Sequence, residues 1–375
     1  MNNPEISEFL RSRIEANDFP SAVYLVAEKG SILFQDALGH AVVEPERIAA
    51  QPDTIYDVAS LTKPLVTLLI IGKLVAEQEL ALTDLVYRYL PEFDSAEKSV
   101  INLERLLLHT AGLAAWRPFY LESEDRAGTL DFIARFPLVA AENQRVEYSD
   151  LGFTVLMFVV EKILKKRIDE AAAEEIFQLL GLKNTFYCPP EALKPRIAAS
   201  EKSNEYERKT CIEIGYPAGP RLDAAIRKYQ IWGEVHDGNA WFMNGVAGHA
   251  GLFSTAGDIF TLALQFLSST TSILSPEVCE LFATNFTRDL NEARSPGFQL
   301  AETTGSAAGP YMPPEAFGHL GFTGTSLWID PTNERIFILL TNRTHGFSLP
   351  FININSVRRS FHSIAIAELD KNISN

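Results

Sequence analysis

The chain reads Asp57-Val58-Ala59-Ser60-Leu61-Thr62-Lys63 at the start of a strongly apolar segment. The apolar residues continue over positions 65–71, and this run predicts a helix from residue 60 to about residue 78. Pro64 is compatible with such a helix, because the amides of the first turn have no acceptor within the helix. We therefore expect a buried helix to begin at Ser60.

A serine and a lysine three residues apart lie on one face of this helix, so the Ser60 hydroxyl and the Lys63 ammonium can touch. A serine hydroxyl is a poor nucleophile without an adjacent base, and lysine serves where burial or neighbouring positive charge lowers its pKa. The helix N-terminus also favours a developing oxyanion. Alone the pattern is weak, because a second copy, Ser95-Ala96-Glu97-Lys98, occurs in a polar stretch that we interpret as solvated surface.

Runs typical of β-strands lie at both ends of the chain, at residues 22–27, 31–38, 317–323, 326–330 and 335–341. The residues between them are mostly helical in pattern, except for 200–230, which we interpret as an insertion or a flexible loop. This order predicts an α+β fold, an α/β sandwich. In it, an antiparallel sheet of about five strands, built from both termini and flanked by helices, carries an inserted, mainly helical domain.

The same order predicts where the domains meet. We expect residues 1–59 and 245–375 to form the discontinuous, sheet-containing domain, and residues 60–244 to form the helical insert. The active-site cleft is expected between the two.

Two further patterns carry chemistry. Tyr148-Ser149-Asp150 precedes a predicted helix at 151–164, where Asp150 could equally be an ordinary N-cap. His319-Leu320-Gly321-Phe322-Thr323-Gly324-Thr325 covers a predicted strand, and a single histidine on a strand is most often structural. Neither pattern identifies a function alone.

Together and in this order, the three patterns resemble those of the class C serine β-lactamases, the DD-peptidases and the related esterases. These proteins carry an SxxK tetrad, then a YxN triad, then a KTG or HTG triad on a strand. The resemblance covers about residues 20–345. Three other stretches support it: Leu106-Leu107-Leu108-His109-Thr110-Ala111-Gly112-Leu113, Val235-His236-Asp237, and Gly245-Val246-Ala247-Gly248-His249-Ala250-Gly251-Leu252-Phe253-Ser254.

The resemblance implies a role for each matched residue. Ser60 would attack a carbonyl to form an acyl-enzyme, and Lys63 would hold the nucleophile and shuttle its proton. Tyr148 would act first as a base toward Ser60 and then as an acid toward the leaving group. The backbone amides of Ser60 and Phe322 would form the oxyanion hole. The substrate cleft would be lined by Asp150, His319 and Gly321, while His236, Asp237 and His249 are open candidates for the cleft.

Two departures from the family pattern concern the substrate. Asp150 stands where asparagine is common, and an ionised aspartate cannot donate a hydrogen bond to a substrate carbonyl. His319 and Leu320 stand where a lysine and a threonine hold the substrate carboxylate in the related lactamases. An ordinary histidine is mostly neutral at pH 7, and leucine offers no hydroxyl. We therefore expect simple esters to be better substrates than β-lactams.

The composition of the chain restricts the kinds of partner and cofactor that we expect. The net charge of −15 disfavours nucleic acid, and no apolar run reaches the length of a membrane span. The three cysteines and seven scattered histidines form no zinc or disulfide pattern, so no metal is expected. No phosphate-binding glycine loop is present, so no cofactor is expected either. The N-terminus lacks the pattern of a signal peptide, which favours the cytoplasm, or the periplasm if a leader was removed.

Three functions remain open at this point. The first is an esterase-like or amidase-like serine hydrolase acting on a small acyl ester, amide or peptide. The second is a DD-carboxypeptidase or β-lactamase acting on D-alanine-type peptides or β-lactams. The third is a non-catalytic binding protein that retains the fold. The sequence carries no signal of the oligomeric state.

Overall fold

The computed structural model describes residues 1–373 of the chain. The strands are β1 (Ser21–Glu28), β2 (Ser31–Val42), β3 (Ile48–Ala49), β4 (Tyr56–Asp57), β5 (Phe186–Tyr187), β6 (Leu252–Ser254), β7 (Arg294–Ser295), β8 (Phe298–Leu300), β9 (Phe317–Leu320), β10 (Ser326–Asp330) and β11 (Arg335–Thr341).

The α-helices are α1 (Pro4–Glu15), α2 (Leu69–Ala76), α3 (Leu103–Leu107), α4 (Phe119–Glu122), α5 (Arg126–Arg135), α6 (Asp150–Leu164), α7 (Ile168–Ala172), α8 (Glu205–Glu213), α9 (Pro220–Ala225), α10 (Gly238–Phe242), α11 (Ala256–Ala263), α12 (Pro276–Phe282) and α13 (Asn355–Ile373). Short 3₁₀ turns cover Ala59–Leu61, Val86–Arg88, Pro91–Phe93, Glu191–Arg196 and Leu264–Phe266, and π-helical turns cover Lys63–Leu68 and Ala173–Phe177.

The main sheet joins both ends of the chain, as the sequence predicts. Its order is β3-β2-β1-β11-β10-β9-β8-β7, and every pairing is antiparallel. The five predicted strands form its centre, with Ala22 opposite Thr341 in the pair β1–β11. The sheet has eight strands rather than about five, because the short strands β3, β7 and β8 extend its edges.

Helices cover both faces of this sheet. On one face, α1 and α13 pack together over a cluster that includes Tyr24, Trp328 and Phe361. On the other face lies the larger cluster, which includes alternate residues of the same strand, Val23 and Leu25. Strand β1 is therefore buried along nearly its whole length. Apolar side chains on both sides of a strand explain its continuous hydrophobic pattern.

The large apolar cluster also runs through the predicted insert. It includes residues of α6 together with residues of α11 and of the main sheet. A second, three-stranded sheet pairs β6 with β4 and with β5. Strand β5 belongs to the predicted insert, whereas β4 and β6 lie outside it. The division into a discontinuous sheet domain and a helical insert stays a prediction.

The helical stretch Ala59–Ala76 carries the Ser60 tetrad. By length and composition it is the single candidate for a membrane span in the described part of the chain, but 78% of it is buried within the fold. It contacts α6, α11 and α12. Burial against other helices is typical of a core helix, and these contacts fix the position of Ser60 at its start.

Two sequence interpretations are wrong. Residues 200–230 are not merely a loop, since they contain α8 and α9, which pack through a small cluster of Leu121, Cys211, Leu222 and Ile226. Lys98 is not solvated, because only 3% of its surface is exposed.

The Lys98 ammonium instead donates to the carbonyls of Ile133, Ala134 and Phe136 at the end of α5. Lysine commonly satisfies the last carbonyls of a helix in this way. The second tetrad is therefore structural, and Lys98 is not available to activate Ser95.

Candidate active site

The turn before Ser60 is held in an uncommon conformation. Ala59 has φ of +49°, in the left-handed region that residues other than glycine rarely adopt. The buried carboxylate of Asp57 accepts hydrogen bonds from the amides of Ala59 at 2.8 Å and His236 at 2.7 Å. Backbone strain of this kind persists where the surroundings fix it, and it is frequent at functional sites. The turn presents Ser60, which is partly exposed, to a cleft.

Two side-chain hydrogen bonds join the loop after β9 directly to this turn. Thr325 Oγ1 donates to the carbonyl of Val58 at 3.0 Å, and Thr323 Oγ1 donates to the carbonyl of Asp57 at 2.8 Å. A Cβ atom on Gly321 would lie 1.9 Å from Thr325 Oγ1 and 2.5 Å from the Val58 oxygen, so the approach requires glycine. This contact brings Phe322 to the cleft beside Ser60. That the amides of Ser60 and Phe322 form an oxyanion hole stays a prediction.

The Lys63 ammonium lies among oxygen atoms. It is 3.0 Å from Ser60 Oγ, 2.6 Å from Asp150 Oδ1 and 3.2 Å from the carbonyl of His249. Its side chain is fully buried, whereas Asp150 is 16% exposed. Three surrounding acceptors suit a protonated amine, which can only donate.

The charge state of Lys63 differs from the expectation that burial lowers its pKa. Burial does lower the pKa of Lys63, but the negative charge of Asp150 and the interaction with Tyr148 outweigh it, so the pKa lies above its ordinary value. The sequence interpretation missed this because it assigned Asp150 to the substrate or to a helix cap. The structure makes Asp150 the counter-charge of Lys63.

The second motif holds Tyr148 at the start of α6. The N-cap is Ser149, not Asp150: its hydroxyl accepts from the amide of Gly152 at 3.1 Å. The Ser149 amide donates to His109 Nδ1 at 3.0 Å, and the His109 ring lies 4.6 Å from the ring of Tyr148. The leucine-rich stretch around His109 therefore positions the tyrosine.

Tyr148 faces both partners that its predicted role requires. Its hydroxyl lies within hydrogen-bonding reach of Ser60 and of Lys63. Burial raises the pKa of Tyr148, Lys63 lowers it and Asp150 raises it, and the net direction is upward. Both proton-transfer groups therefore hold their protons in the resting state at neutral pH.

These charges predict the pH dependence of the Asp150→Asn variant. Asp150 raises the pKa of both Lys63 and Tyr148, so removing its charge lowers both values. Because the unprotonated base is the active form, the ascending limb of kcat/KM should move to lower pH. The measurement is the pH profile for a neutral ester. Asp258→Asn is the matched control, since Asp258 is a partly buried carboxylate that accepts hydrogen bonds from Asn184 and Thr185 outside the cleft. An unmoved limb in Asp150→Asn would contradict the assignment.

His319 is neutral in its surroundings. Burial and the charges of Lys63 and Arg294 hold the pKa of His319 well below its ordinary range. Its Nδ1–H donates to the carbonyl of Leu320 at 2.9 Å, which leaves Nε2 as an acceptor. His319 lines the cleft but does not replace the positive charge of a lysine at this position.

The positive charge comes from a residue that the sequence interpretation missed. Arg294, on the short edge strand β7, is 4% exposed, and its guanidinium carbon lies 5.6 Å from the centre of the Tyr148 ring. The sequence interpretation considered only His319 and Leu320 here and did not identify this neighbouring cation. No motif surrounds Arg294, and only the pairing of β7 with β8 brings it to the site.

The cleft has a volume of about 680 Å³, within the range of ligand sites. Its lining includes every predicted site residue except the buried Lys63: Ser60, Tyr148, Asp150, His319, Gly321 and Phe322. The lining also includes Tyr206 and Glu207 of α8 and Arg294 of β7.

A group of acidic and imidazole side chains lies beside Lys63. Ligand-type atoms of Asp150, Asp237 and His249 are within 4.8 Å of one another. Such a group could hold a metal ion, but here the Lys63 ammonium is the cation in contact with it. Burial raises the pKa of Asp237, but the charge and hydrogen bond of His249 outweigh it and lower the pKa to about 2. We interpret the group as the polar support of Lys63.

Three comparisons place this arrangement among known proteins. The profile of the family described as Beta-lactamase matches residues 6–355. A protein of Escherichia coli (strain K12), provisionally named a D-alanyl-D-alanine carboxypeptidase, is 31% identical over 354 residues, which cover 88% of this chain and 79% of the relative.

Solved structures agree on the fold. The hydrolase EstCE1, described as having promiscuous acyltransferase activity, superposes with a TM-score of 0.73 at 19% identity, covering 96% of this chain and 97% of that one. A class C β-lactamase from Rhodobacter sphaeroides superposes with a TM-score of 0.69 at 18% identity, covering 98% of this chain and 99% of that one. At these identities the likeness concerns the fold alone.

Proposed function

This chain belongs to the β-lactamase family of serine hydrolases, and we propose that it cleaves a small ester or amide through an acyl-enzyme on Ser60. The observation that carries the proposal is the contact of Ser60 Oγ with the Lys63 ammonium at 3.0 Å, with the Tyr148 hydroxyl in reach of both. Covalent catalysis requires a proton acceptor next to the nucleophile, and in this proposal the acceptor is Tyr148 in its unprotonated form.

The proposed reaction has two steps. Ser60 Oγ attacks the substrate carbonyl while its proton passes to Tyr148 in its unprotonated form, and the Lys63 ammonium stabilises the charge that develops on the two oxygens. Tyr148 then protonates the leaving group, which departs and leaves the acyl group on Ser60. Water, deprotonated by the same tyrosine, releases the acid and restores the serine. The amides of Ser60 and Phe322 would bind the oxyanion in both steps.

The alternative of a non-catalytic binding protein has less support. Ser60, Lys63 and Tyr148 are all present, the Lys63 ammonium contacts Ser60 directly with Tyr148 beside both, and the turn at Ala59 is strained. A protein that only binds a ligand has no need of a protonated lysine against a serine hydroxyl.

A DD-carboxypeptidase is the second candidate function. The name of the Escherichia coli relative suggests it, and the buried cation Arg294 beside Tyr148 supplies a charge that suits the carboxylate of a peptide end. Asp150 differs from the usual asparagine and is engaged by Lys63, so the acyl part of such a peptide would be bound differently from that in the usual family members.

A substrate panel followed by intact-mass measurement tests the proposal. We expect a mass increase equal to the acyl group, located at Ser60, with p-nitrophenyl butyrate, and measurable release of p-nitrophenol. We expect weaker turnover of nitrocefin, because neither His319 nor Leu320 supplies the lysine and threonine donors of the lactamases. No acylation by any ester, penicillin or D-alanyl-D-alanine peptide would contradict the proposal. Nitrocefin hydrolysis at about 10⁶ M⁻¹s⁻¹ or faster would favour a true β-lactamase.

A further inference from the structure

His236 links the two elements that border Ser60. Its backbone amide donates to Asp57 Oδ2 at 2.7 Å, and Asp57 Oδ1 holds the strained turn before Ser60 by accepting from the amide of Ala59. The His236 ring stacks against the ring of Phe322, with 5.3 Å between the ring centres and an angle of 23° between the planes. Because the oxyanion hole is expected at the amides of Ser60 and Phe322, His236 contacts the supports of both donors.

Glu201 holds the His236 ring from outside the cleft. Glu201 Oε2 lies 2.8 Å from His236 Nε2, and Glu201 Oε1 accepts a hydrogen bond from the amide of Tyr206 at 2.9 Å. Glu201 is 3% exposed, and it is not among those of residues 1–373 that line the cleft. Glu201 can therefore act on a bound substrate only through its neighbours.

The charge of Glu201 strengthens its contact with His236. Burial lowers the pKa of His236, but the hydrogen bond and the charge of Glu201, together with the charges of Glu207 and Asp57, outweigh it and raise the pKa above its ordinary value. A hydrogen bond from an imidazole to a carboxylate is shorter and stronger than one between neutral groups. This bond fixes the plane of the imidazole ring, and with it the surface against which Phe322 packs.

Phe322 has one further support. Arg343 Nε donates to the carbonyl of Phe322 at 2.7 Å, and the Arg343 guanidinium carbon lies 4.9 Å from the centre of the Phe322 ring. Arg343 therefore holds the backbone carbonyl of Phe322, while His236 packs against its ring. An oxyanion hole acts only when its donors already point at the developing charge, and a misplacement of about 1 Å can cost about 10²-fold in rate.

We propose that Glu201 is a positioning residue, which acts through His236 to hold the Phe322 amide in the oxyanion hole; this inference rests on the proposed serine-hydrolase function. Glu201 binds the imidazole, the imidazole supports the Phe322 ring, and the Phe322 amide receives the oxyanion. The same histidine steadies the turn before Ser60 through Asp57, so both amides of the hole depend on one side chain and its carboxylate partner.

The test compares p-nitrophenyl butyrate with its thiono analogue, in which sulfur replaces the carbonyl oxygen. Sulfur is a weak hydrogen-bond acceptor, so the thiono ester gains little from an oxyanion hole, and the wild-type protein should favour the oxygen ester in kcat. Glu201→Ala should lower kcat for the oxygen ester by roughly 10- to 100-fold while KM changes by less than about threefold. The thiono ester should change much less, so the ratio of the two rates should fall.

His236→Gln is the second variant. A glutamine side chain can still donate to Glu201 but presents no ring to Phe322, so the ratio should fall as it does in Glu201→Ala. Because it leaves no buried carboxylate without a donor, this variant keeps the test decisive should Glu201→Ala fail to fold. The double variant should lose no more than the larger single effect, since both substitutions act on one series of contacts.

The outcomes separate positioning from stability alone. If Glu201 only stabilises the fold, both variants lower the rates for the two esters equally, and the inference is overturned. An unchanged kcat in both variants, or a wild-type protein that does not distinguish the esters, also overturns it. Turnover of neither ester by the wild type would contradict the proposed function itself. His362→Gln is the matched control, because His362 is a buried histidine outside the cleft whose Nδ1 lies 2.9 Å from the carbonyl of Ala307. Its ratio of rates should equal that of the wild type.

Discussion

Ser60→Ala should abolish acylation and lower the hydrolysis of p-nitrophenyl butyrate by at least about 10⁴-fold, because no other group can form the covalent intermediate. Ser60 Oγ accepts a hydrogen bond from Lys63, which keeps its contacts with Asp150 and the carbonyl of His249 in the variant. The fold should therefore survive, and the melting temperature should change little. The measurement is labelling by a fluorophosphonate, read by intact mass, together with initial rates.

Ser95→Ala is the matched control for this experiment. Ser95 is the first residue of the second SxxK tetrad, but Lys98 of that tetrad donates its hydrogen bonds to the carbonyls at the end of α5. Ser95 itself is exposed. Labelling and rate should equal those of the wild type. Label at Ser95, or hydrolysis that persists in Ser60→Ala, would show that another residue is the nucleophile.

Tyr148→Phe and Lys63→Met should each lower kcat by roughly 10²- to 10⁴-fold, the usual contribution of a positioned proton-transfer group. Tyr148→Phe removes one hydroxyl and keeps the ring against His109, so it isolates the chemistry from the packing. Lys63→Arg should not restore activity, because the larger, planar guanidinium cannot keep the contacts that the compact, buried Lys63 ammonium makes with Ser60, Asp150 and the carbonyl of His249. Initial rates at saturating ester give the comparison.

The Lys63→Met and Tyr148→Phe variants should differ in thermal stability. Lys63→Met leaves the Asp150 carboxylate beside an apolar side chain, and loss of one partner of a buried ion pair is costly. We expect a lower melting temperature for Lys63→Met and a nearly unchanged one for Tyr148→Phe. A Tyr148→Phe protein that keeps the wild-type rate would mean that Tyr148 serves only to pack against His109.

The centre of the fold could be predicted because its sequence signals are local. The turn at Lys29 and Gly30 joins two β-rich runs, and the apolar stretch after Ser60 is too long for a strand. The edge strands β3 and β7 span two residues each, too few to show a period. Helices α8 and α9 have only weak hydrophobic periodicity in the sequence. Their apolar side chains come together in one small cluster only when the chain folds, so the sequence alone did not reveal them.

The candidate site, like the fold, has features that local sequence patterns predict and features that depend on tertiary contacts. Motifs found Ser60, Lys63 and Tyr148, since their chemistry depends on residue type and order. The charge of Lys63 could not be predicted, because it depends on the 2.6 Å approach of Asp150, a tertiary distance. Arg294 was missed for a related reason. A single arginine has no distinguishing neighbours in the sequence, and its significance lies in its tertiary position beside the Tyr148 ring.

Hydrogen bonds from Thr323 and Thr325 hold the loop after β9 to the turn before Ser60. This wall of the cleft therefore cannot move away from the nucleophile on its own. Another part of the lining, Tyr206 and Glu207, lies on α8, whose buried Cys211 belongs to a small separate cluster. Substitutions on α8 can therefore reshape what enters the cleft while the reacting atoms keep their places. In evolutionary terms, the protein can change its substrate without rebuilding its catalyst, and new specificities should arise first in the segment 205–213.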